Sequence, residues 1–418
     1  MVSTATNANS MKDGDFSKTL FVMGDFPAFS QTFILRELKE FEKRGIALRV
    51  IADREAPNID LDPWLQELKG RTTYIRAAKS AGLGAIKGIL APWKLLEALR
   101  WALKLPHRSN FHRIRFITIL LLAFDIAPWV KKHFNYIHSH FAAFQTELAM
   151  CLSHLTGVPW GATWHAYGIW KDKNLLPEKI ADARVIMTCT QFNADHLKKL
   201  APSHTDKIHL VYHGLDFNQF AEPVPIPPGE LPRFTAVGRL IPKKGFKYLI
   251  DAVAILIKRQ IPCHLTIVGD GDEHAALTRR IRQLGLARNV TMAGHCSNEE
   301  VMKCLVASRG LVAPSIVAPD GNIDGIPNVL LEAMMAGRPI IGTRMSGIPE
   351  VIFDGVNGYL VPSEDATALA DAMQKICTDD ALTQSMGAAG RRFVEKHFNV
   401  IRSVDEQIEI LGNLNLNK

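Results

Sequence analysis

The stretch DGNIDGIPNVLLEAMMAG, residues 320–337, joins a turn-forming loop to an apolar segment of helical length. Pro327 ends the loop, and the residues after it predict a helix that begins near Asn328. Asp324 then lies in the loop, and Glu332 lies just over one turn into the helix. Two carboxylates at this spacing can converge on one polyhydroxy ligand, because each accepts charge-assisted hydrogen bonds from pairs of hydroxyl groups.

Two simpler interpretations of this stretch compete with ligand binding. Glu332 could be a first-turn acid that stabilises the helix dipole, an effect under about 1 kcal/mol. Asp320, Asn322 and Asp324 also resemble the start of a calcium-binding loop. The position that needs a bidentate glutamate is Leu331, so the register fails by one residue. We therefore predict no metal site here.

Apolar strands and helical segments alternate on both sides of this stretch. From residue 233 the chain continues as RFTAVG, GFKYLIDAVAILIKR, CHLTIVGDG and HAALTRRIRQLG, and the alternation runs on to GYLVP at 358–362. This order is typical of an α/β fold with a doubly wound parallel sheet. The residues from Ala366 to about Leu411 predict a helical tail with one or two breaks.

The first half of the chain shows the same alternation. A helix is predicted from Ser30 to Arg44, and Ser30 is a suitable N-cap residue. A further set of basic amphipathic helices is predicted over residues 80–134. Apolar runs predict strands at 18–24, 47–53, 134–140, 159–165 and 183–189.

The stretch AEPVPIPPGELP, residues 221–232, holds five prolines in 12 residues and predicts a linker, since it cannot form a regular element. We therefore predict two Rossmann-like, doubly wound domains that face an interdomain cleft. The first is predicted to span residues 1–221 and the second residues 222–395. Residues 396–418 are predicted to form a helical tail that returns to the first domain. Ligands of such sheets bind beyond the carboxyl ends of the strands.

Two turns that follow predicted strands in the second domain are candidate ligand sites. GRLIPKKGF, residues 238–246, puts Arg239, Lys243 and Lys244 beside a helix N-terminus, which suits a diphosphate. The competing interpretation is a solvated basic turn, with about even odds. IVGDGDE contains Gly271 but no third glycine at the proper place, so an ordinary strand-to-helix turn is favoured over a dinucleotide fingerprint.

Histidines and hydroxyl residues follow predicted strands in the first domain. His140 lies in HSHF and His165 lies in ATWHAYGIW. A single histidine is more often structural than functional, because imidazole packs and hydrogen-bonds readily. The loop FPAFSQTFILREL supplies Ser30, Gln31 and Thr32 just after the first strand.

The charge of the chain is concentrated in one segment. The formal net charge is +7 and the pI is about 9.0, which favours an anionic partner. Residues 69–132 hold 13 Lys or Arg and two acids. Either these helices bury their apolar faces in the domain core, or they bind anionic lipid headgroups. Nucleic acid fits less well, because no recognition motif accompanies the charge.

The location of the protein is constrained by what the sequence contains. Six cysteines show no CxxC pair and no zinc-finger spacing, which indicates free thiols in a reducing compartment. The N-terminus lacks the apolar centre of a signal peptide. The longest apolar run, Phe116 to Phe124, is far short of a membrane-spanning helix. We predict a cytoplasmic protein that lies peripherally on the inner face of the cytoplasmic membrane.

Residues 234–361 resemble the donor domain of glycosyltransferase family four, whose members have the GT-B fold and retain the anomeric configuration. The resemblance is carried by GRLIPKKGFKYLIDA, LTIVGDG, VTMAGHCSNEEV, APSIVAPDGNIDGIPNVLLEAMMAGRPIIGT, SGIPEVI and NGYLVP, in that order. DGIPNVLLEAM is similar to bacterial exopolysaccharide glycosyltransferases of the colanic-acid type.

The resemblance implies roles for individual residues. Arg239 and Lys244 would grip the donor diphosphate, and Glu332 would hold the ribose hydroxyls. Asp324 stands where the family usually has Glu and would contact the transferred sugar. His165 stands where the family carries a histidine near the reacting sugar. We predict the catalytic residues His165, Arg239, Lys244 and Asp324.

Further residues are assigned to the two substrates. Donor binding is predicted for Arg239, Lys244, Gly271, Asn328, Val329, Leu330 and Glu332. Acceptor binding is predicted for Ser30, Gln31, Thr32 and His140.

The resemblance also implies a reaction. We expect a hexosyl- or related glycosyltransferase that needs no metal and no cofactor and works with retention. The donor would be a UDP or GDP sugar, and the acceptor a glycan on a polyprenyl diphosphate at an anionic membrane surface. Two alternatives stay open: an NDP-sugar 2-epimerase of the same fold, and a non-catalytic subunit that binds sugar nucleotides.

Overall fold

The computed structural model describes residues 16–28, 31–56, 63–75, 77–225 and 231–414, without the side chains of residues 77–80. The described chain divides into two compact units. The first contains the described residues up to Cys189, then Asn193–Gly214 and the described residues from Val400 onwards. The second contains Thr190–Phe192 and Leu215–Asn399.

The first unit is built on a seven-stranded parallel sheet with the order β3-β2-β1-β4-β5-β6-β7. The chain reverses its direction across the sheet between β1 and β4, which makes this pair the topological switch point. The strands are β1 Thr19–Phe26, β2 Arg49–Glu55, β3 Thr72–Tyr74, β4 Tyr136–His140, β5 Trp160–Trp164, β6 Ile186–Thr188 and β7 Ile208–Leu210.

Helices connect these strands and cover both faces of the sheet. They are α1 Thr32–Lys43, α2 Pro63–Gly70, α3 Ala77–Ile89, α4 Pro92–Lys104, α5 Asn110–His133, α6 Phe144–Thr156, α7 Leu176–Asp182 and α8 Gln191–Leu200, and α15 Val400–Gly412 returns from the end of the chain. α15 packs against α1, as the predicted return of the C-terminal tail requires.

The alternation of side chains along β1 separates two apolar layers. Leu20 and Val22 pack into the layer that contains the buried face of α5. Phe21 and Met23 pack into the layer that contains α1 and α15. Because successive strand residues point to opposite faces, a strand covered by helices on both sides is apolar throughout.

The second unit is built on a six-stranded parallel sheet with the order β10-β9-β8-β11-β12-β13. Its switch point lies between β8 and β11. The strands are β8 Arg233–Val237, β9 His264–Val268, β10 Val290–Gly294, β11 Gly310–Ala313, β12 Ile340–Thr343 and β13 Gly358–Val361. The helices are α9 Phe246–Lys258, α10 His274–Gln283, α11 Asn298–Val306, α12 Asn328–Met335, α13 Ala366–Thr378 and α14 Asp380–His397.

The predicted α/β class with two Rossmann-like sheets is confirmed. The sequence pattern missed β3 and β7, which have three residues each and are only partly buried, so that neither gives an apolar run. α1 begins at Thr32 with Gln31 at the N-cap position, whereas Ser30 was predicted there; Ser30 itself lies outside the described residues. Among the helices that the structure describes, none is long and apolar enough to cross a membrane.

Candidate functional site

The loop after β8 lies at the switch point of the second unit. It runs from Gly238 to Gly245 and includes a 3₁₀ turn at Pro242–Lys244. Gly245 has φ +63°, and a Cβ on it would lie 2.0 Å from the carbonyl oxygen of Pro314, just after β11. Only glycine therefore allows this loop to pack against the exit of β11.

Asp324, in the loop after β11, lies between two lysines. Lys243 Nζ is 2.9 Å from Asp324 Oδ1, and Lys244 Nζ is 2.7 Å from Asp324 Oδ2. The hydroxyl of Ser315 donates to Asp324 Oδ2 at 3.4 Å. Each carboxylate oxygen of Asp324 thus forms an ion pair with one lysine ammonium group. A calcium ion bound at Asp324 would have to displace both ammonium groups.

The electrostatic state of this cluster follows from burial and charge. Burial would raise the pKa of Asp324, but Lys244 and Lys243 outweigh it and lower the pKa to about 2. The pKa of Lys243 is lowered, mainly because the side chain is buried. The negative charge of Asp324 raises this pKa in part, and the positive charges of Lys244 and Arg239 lower it further. Two lysines contact Asp324, and Arg239 is close enough for its charge to act on Lys243. Three cations against one acid leave a positive potential that suits a diphosphate.

The sequence pattern placed Lys243 with Arg239 and Lys244 among the cations of a diphosphate site, and the family resemblance then assigned the diphosphate to Arg239 and Lys244 alone. Lys243 is buried, and its Nζ also lies 3.5 Å from Asn322 Oδ1 and from the carbonyl oxygen of Ile323. A basic pair in a turn does not reveal which lysine points inward, so no sequence signal could have separated Lys243 from Lys244.

Gly271 is explained by packing between loops. A Cβ on Gly271 would lie 2.7 Å from the carbonyl oxygen of Leu240, in the loop after β8. Gly269 is equally constrained, because its Cβ would lie 2.0 Å from the carbonyl oxygen of Gly238. These glycines hold the loops after β8 and β9 together, and a contact of Gly271 with the donor stays a prediction.

The helix that carries the second acid begins where the sequence predicts. α12 starts at Asn328 after Pro327, and no side chain caps this end. The Leu330 N–H donates to the Pro327 carbonyl oxygen at 3.0 Å, so its predicted contact with phosphate would require that bond to break. Asn328 and Val329 are the better candidates for an anion at this N-terminus. Glu332 lies half-buried just over one turn into α12.

In the first unit, the residues predicted to bind the acceptor flank the switch point. Gln31 and Thr32 follow β1, and His140 ends β4. Ser30, predicted with them, lies outside the described residues. His140 is 1% exposed, so its access to an acceptor depends on the residues that cover it.

His165 belongs to a buried chain of hydrogen-bonding groups. Its Nδ1 lies 3.1 Å from His213 Nε2, and its Nε2 lies 3.4 Å from His140 Nδ1. His213 Nδ1 lies in turn 2.7 Å from Glu37 Oε1. The chain therefore runs from a buried carboxylate on α1 through three imidazoles.

The charges along this chain differ sharply. Burial is the main cause that holds the pKa of His165 and of His140 well below the usual value. Burial would also lower the pKa of His213, but Glu37 and Cys189 raise it to about 10. His213 is thus an imidazolium at neutral pH, and its two N–H groups donate to Glu37 and to His165 Nδ1. Because Nδ1 of the neutral His165 accepts this hydrogen bond, the ring proton of His165 is on Nε2.

The sequence missed Glu37 and His213. Glu37 lies in FILRELKEF and was indistinguishable from a surface acid of a helix. The two residues are 176 positions apart, and their contact forms only when the segment after β7 folds against α1. Among the described residues, His165, Cys189 and His213 also form the one group whose ligand atoms, all within 4.8 Å of one another, could hold a metal ion.

Comparison with known proteins identifies relatives of this chain. Residues 219–393 match the family described as glycosyl transferases group 1. The chain is 33% identical over 408 residues to the putative colanic acid biosynthesis glycosyltransferase WcaL of Salmonella typhimurium, which covers 91% of this chain and 96% of the relative. It is 28% identical over 412 residues to the amylovoran biosynthesis glycosyltransferase AmsK of Erwinia amylovora, covering 95% and 99%.

Solved structures show the same architecture. Alr3699/HepE of Anabaena, in complex with UDP and glucose, superposes with a TM-score of 0.72 at 17% identity and covers 95% of this chain and 100% of its own. Sucrose-phosphate synthase of Thermosynechococcus elongatus gives a TM-score of 0.73 at 18% identity and covers 96% and 100%. With the WcaL identity spanning nearly the whole chain, the protein belongs to the group 1 glycosyltransferases, of the family-four type with the GT-B fold.

Proposed function

We propose that this glycosyltransferase moves a sugar, with retention at the anomeric carbon, from a nucleoside diphosphate sugar to a lipid-linked oligosaccharide in exopolysaccharide biosynthesis. The observation that carries the proposal is the cluster of Lys243, Lys244 and Asp324 at the switch point of the second unit. The names of WcaL and AmsK, which refer to colanic acid and amylovoran biosynthesis, support the pathway class.

The donor is assigned to the second unit. Arg239 and Lys244 bind the diphosphate, together with the amides of Asn328 and Val329 at the start of α12. Glu332 binds the two ribose hydroxyls through charge-assisted hydrogen bonds. UDP is one candidate carrier, because HepE was solved with UDP. GDP is the other, because a relative from Mycolicibacterium smegmatis, 31% identical over 40% of this chain, is named as a GDP-mannose-dependent mannosyltransferase.

Asp324 serves two states in this proposal. Without donor it pairs with Lys243 and Lys244 and keeps both ammonium groups at the switch point. When the donor binds, its diphosphate lies beside Lys244 as a second anion in addition to Asp324. One carboxylate oxygen of Asp324 then accepts hydrogen bonds from the hydroxyls of the transferred sugar. A preformed cluster of this kind lowers the ordering cost of donor binding.

Transfer proceeds without a metal in this proposal because the cations of the site do the electrostatic work. The bond between the anomeric carbon and the diphosphate oxygen breaks, and the acceptor hydroxyl oxygen bonds to the same carbon on the same face. The hydroxyl proton passes to an oxygen of the departing diphosphate. Arg239 and Lys244 stabilise the charge that develops on that group.

The acceptor is assigned to the first unit. Ser30, Gln31, Thr32 and His140 are its proposed contacts, and His165 is the proposed catalytic residue. His165 presents a neutral imidazole whose ring is held by His213 on one side and His140 on the other. A ring fixed in this way can orient a sugar hydroxyl without a cost in side-chain entropy at the moment of reaction.

A lipid-linked acceptor requires contact with a membrane, and the basic segment supplies a suitable surface. We define the α3–α4 surface by the exposed apolar side chains Leu83, Ile86, Ile89, Leu90, Trp93, Leu96 and Leu103. Leu90 and Trp93 are 80% and 81% exposed, and Lys94, Arg100 and Lys104 are exposed beside them. Apolar groups flanked by cations match an anionic bilayer, and we propose this surface as the peripheral membrane contact.

A transfer assay tests the proposal. The full-length protein is incubated with UDP- and GDP-sugars and with lipid-linked oligosaccharide in vesicles, and the anomeric configuration of the product is determined by NMR. Incubation with donor alone distinguishes the alternatives: a 2-epimerase converts the donor sugar, whereas a transferase leaves it or hydrolyses it slowly. Inversion at the anomeric carbon, or epimerisation of the donor, would refute the proposal.

A further inference from the structure

Three potential metal ligands follow three neighbouring strands of the first unit's sheet. His165 comes directly after β5, Cys189 directly after β6, and His213 three residues after β7. β5, β6 and β7 are adjacent and parallel, so their carboxyl ends bring these side chains to one place. One imidazole and one thiol come from short loops on rigid strands, which is how precise ligand sets are positioned.

The spacing of the ligand atoms fits tetrahedral coordination. A Zn²⁺ ion with N ligands at about 2.0–2.1 Å and S at about 2.3 Å would require edges of roughly 3.3–3.4 Å between nitrogens and about 3.5–3.6 Å from nitrogen to sulfur. His165 Nδ1 and His213 Nε2 are 3.1 Å apart, and Cys189 Sγ is 3.9 Å from His165 Nδ1. All three ligand atoms lie within 4.8 Å of one another. Shifts of a few tenths of an ångström would complete the geometry.

The groups behind the ligands are those that metal sites use. His213 Nδ1 faces Glu37 Oε1 at 2.7 Å, which gives the carboxylate–histidine pairing that fixes the tautomer and orientation of a ligand. His165 Nε2 faces His140 Nδ1 at 3.4 Å. Each imidazole therefore has one nitrogen held by a neighbour and presents the other toward Cys189.

We infer that His165, Cys189 and His213 form a binding site for a divalent transition metal ion of the Zn²⁺ class, with a fourth position open to solvent. Two imidazoles and a thiolate suit Zn²⁺ and not Mg²⁺ or Ca²⁺, which take oxygen ligands. Cys189 and His213 are partly exposed, so an ion has a path of entry. Coordination replaces the proton between His213 and His165 and the thiol proton of Cys189, and no electron is transferred.

The site has a consequence for transfer, and this consequence rests on the proposed function. A metal ion takes the Nδ1 atom of His165, the proposed catalytic residue, in place of the hydrogen bond from His213. It also adds positive charge to an imidazole that would face the positive charge developing at the anomeric carbon. Zn²⁺ at this site therefore inhibits transfer, and a chelator restores it. Binding of the ion does not depend on the proposed function.

Binding is tested with Co²⁺ on the full-length, tag-free protein after removal of metals. A tetrahedral site with one thiolate is expected to give visible d–d bands and a near-ultraviolet sulfur-to-cobalt band, with one ion bound per chain. Cys189→Ser should lose the sulfur band. Cys296→Ser, a partly exposed thiol of the second unit, is the matched control and should keep it.

The positions behind the ligands give a second readout. Glu37→Gln should lower Co²⁺ affinity about 10–100-fold while leaving the sulfur band in place at saturation, as expected for a residue that orients a ligand. A wild-type protein without the sulfur band, or a band that survives in Cys189→Ser, would overturn the site and leave a proton-bridged histidine pair.

The functional consequence has its own assay. Transfer is measured with and without micromolar Zn²⁺, and the ratio is compared between wild type and Cys189→Ser. The ratio should be low in the wild type and close to one in the variant. If Co²⁺ binds as described and the protein transfers no sugar, the proposed function fails and the metal site stands. If sugar is transferred and no Co²⁺ binds, the metal site fails and the proposed function stands.

Discussion

Lys244 Nζ and Asp324 Oδ2 lie 2.7 Å apart at the switch point of the second unit's sheet. The pair joins the loop after β8 to the loop after β11, and Lys243 contacts the other oxygen of the same carboxylate. Because β8 and β11 are neighbours at which the strand order reverses, this is where a sheet of this type binds its ligand. The pair is therefore the part of the molecule on which donor binding is tested first.

Lys244→Met is expected to weaken binding of nucleoside diphosphates about 10–100-fold, since a hydrogen bond to a charged group contributes about 1.5–3 kcal/mol. Lys247→Met is the matched control, because Lys247 is exposed in the same stretch and faces the Tyr248 ring. Isothermal titration calorimetry measures both affinities. Equal affinities for the two variants would remove Lys244 from the diphosphate site.

Gly238→Ala is expected to weaken the same binding by displacing Lys244. A Cβ at Gly238 would lie 3.0 Å from Lys244 Cε, and φ there is +156°. Gly285→Ala is the control, since Gly285 has φ +69° and no atom within 4 Å of its Cβ. Backbone strain alone should lower the Tm of both variants, whereas only Gly238→Ala should lose donor affinity.

Glu332→Ala is expected to abolish turnover and to separate the two halves of the ligand. If Glu332 binds ribose hydroxyls, the variant should lose affinity for the nucleoside diphosphate and keep its affinity for inorganic diphosphate. Lys244→Met should lose both. A Glu332→Ala enzyme that transfers sugar at the wild-type rate would show that the ribose site lies elsewhere.

The contribution of the Asp324 ion pairs to stability should depend on pH. The pKa of Asp324 is lowered to about 2, below its unfolded value of about 3.9, so the charged form favours the folded state. This stabilisation, on the order of 2 kcal/mol, is present above about pH 4 and is lost as the pH falls through about 2. The Tm difference between wild type and Asp324→Asn should therefore be constant above about pH 5 and shrink below pH 4. A difference that grows in acid would contradict the assigned shift.

Membrane binding should depend on the α3–α4 surface. The double variant Leu90→Glu/Trp93→Glu is expected to lose co-sedimentation with anionic vesicles, because it removes exposed apolar groups and adds negative charge. Phe353→Glu replaces an exposed aromatic residue of the second unit and should bind vesicles like the wild type. Binding of the double variant at the wild-type level would assign the surface to another partner.

The two Rossmann-like sheets could be predicted because their strands are buried on both faces. Such strands are short apolar runs between helices, and turn residues mark their ends. β3 and β7 escaped because they are short and only partly buried, whereas the equally short β6 is fully buried and lies in an apolar run. The helix start at Asn328 was predictable because Pro327 suits an N-terminal helix boundary.

The candidate sites were predictable only in part, because sequence shows residue types and not their partners. Arg239, Lys244, Asp324 and Glu332 stand in a recognisable local order. Lys243 was predicted only as one of three cations, and its contact with Asp324 was missed because burial decides its role. Glu37 and His213 were missed because folding, and no local pattern, brings together residues that are 176 positions apart.

A thermal-shift panel of nucleoside diphosphates and their sugars on the full-length protein tests the central claim, that the second unit binds a sugar nucleotide. Stabilisation by a ligand follows its affinity for the folded state. We expect one of UDP and GDP, and its sugar, to raise the Tm of the wild type, with the increase reduced in Lys244→Met and Glu332→Ala and kept in Lys247→Met. No increase with any nucleotide, or equal increases in all four proteins, would contradict the claim.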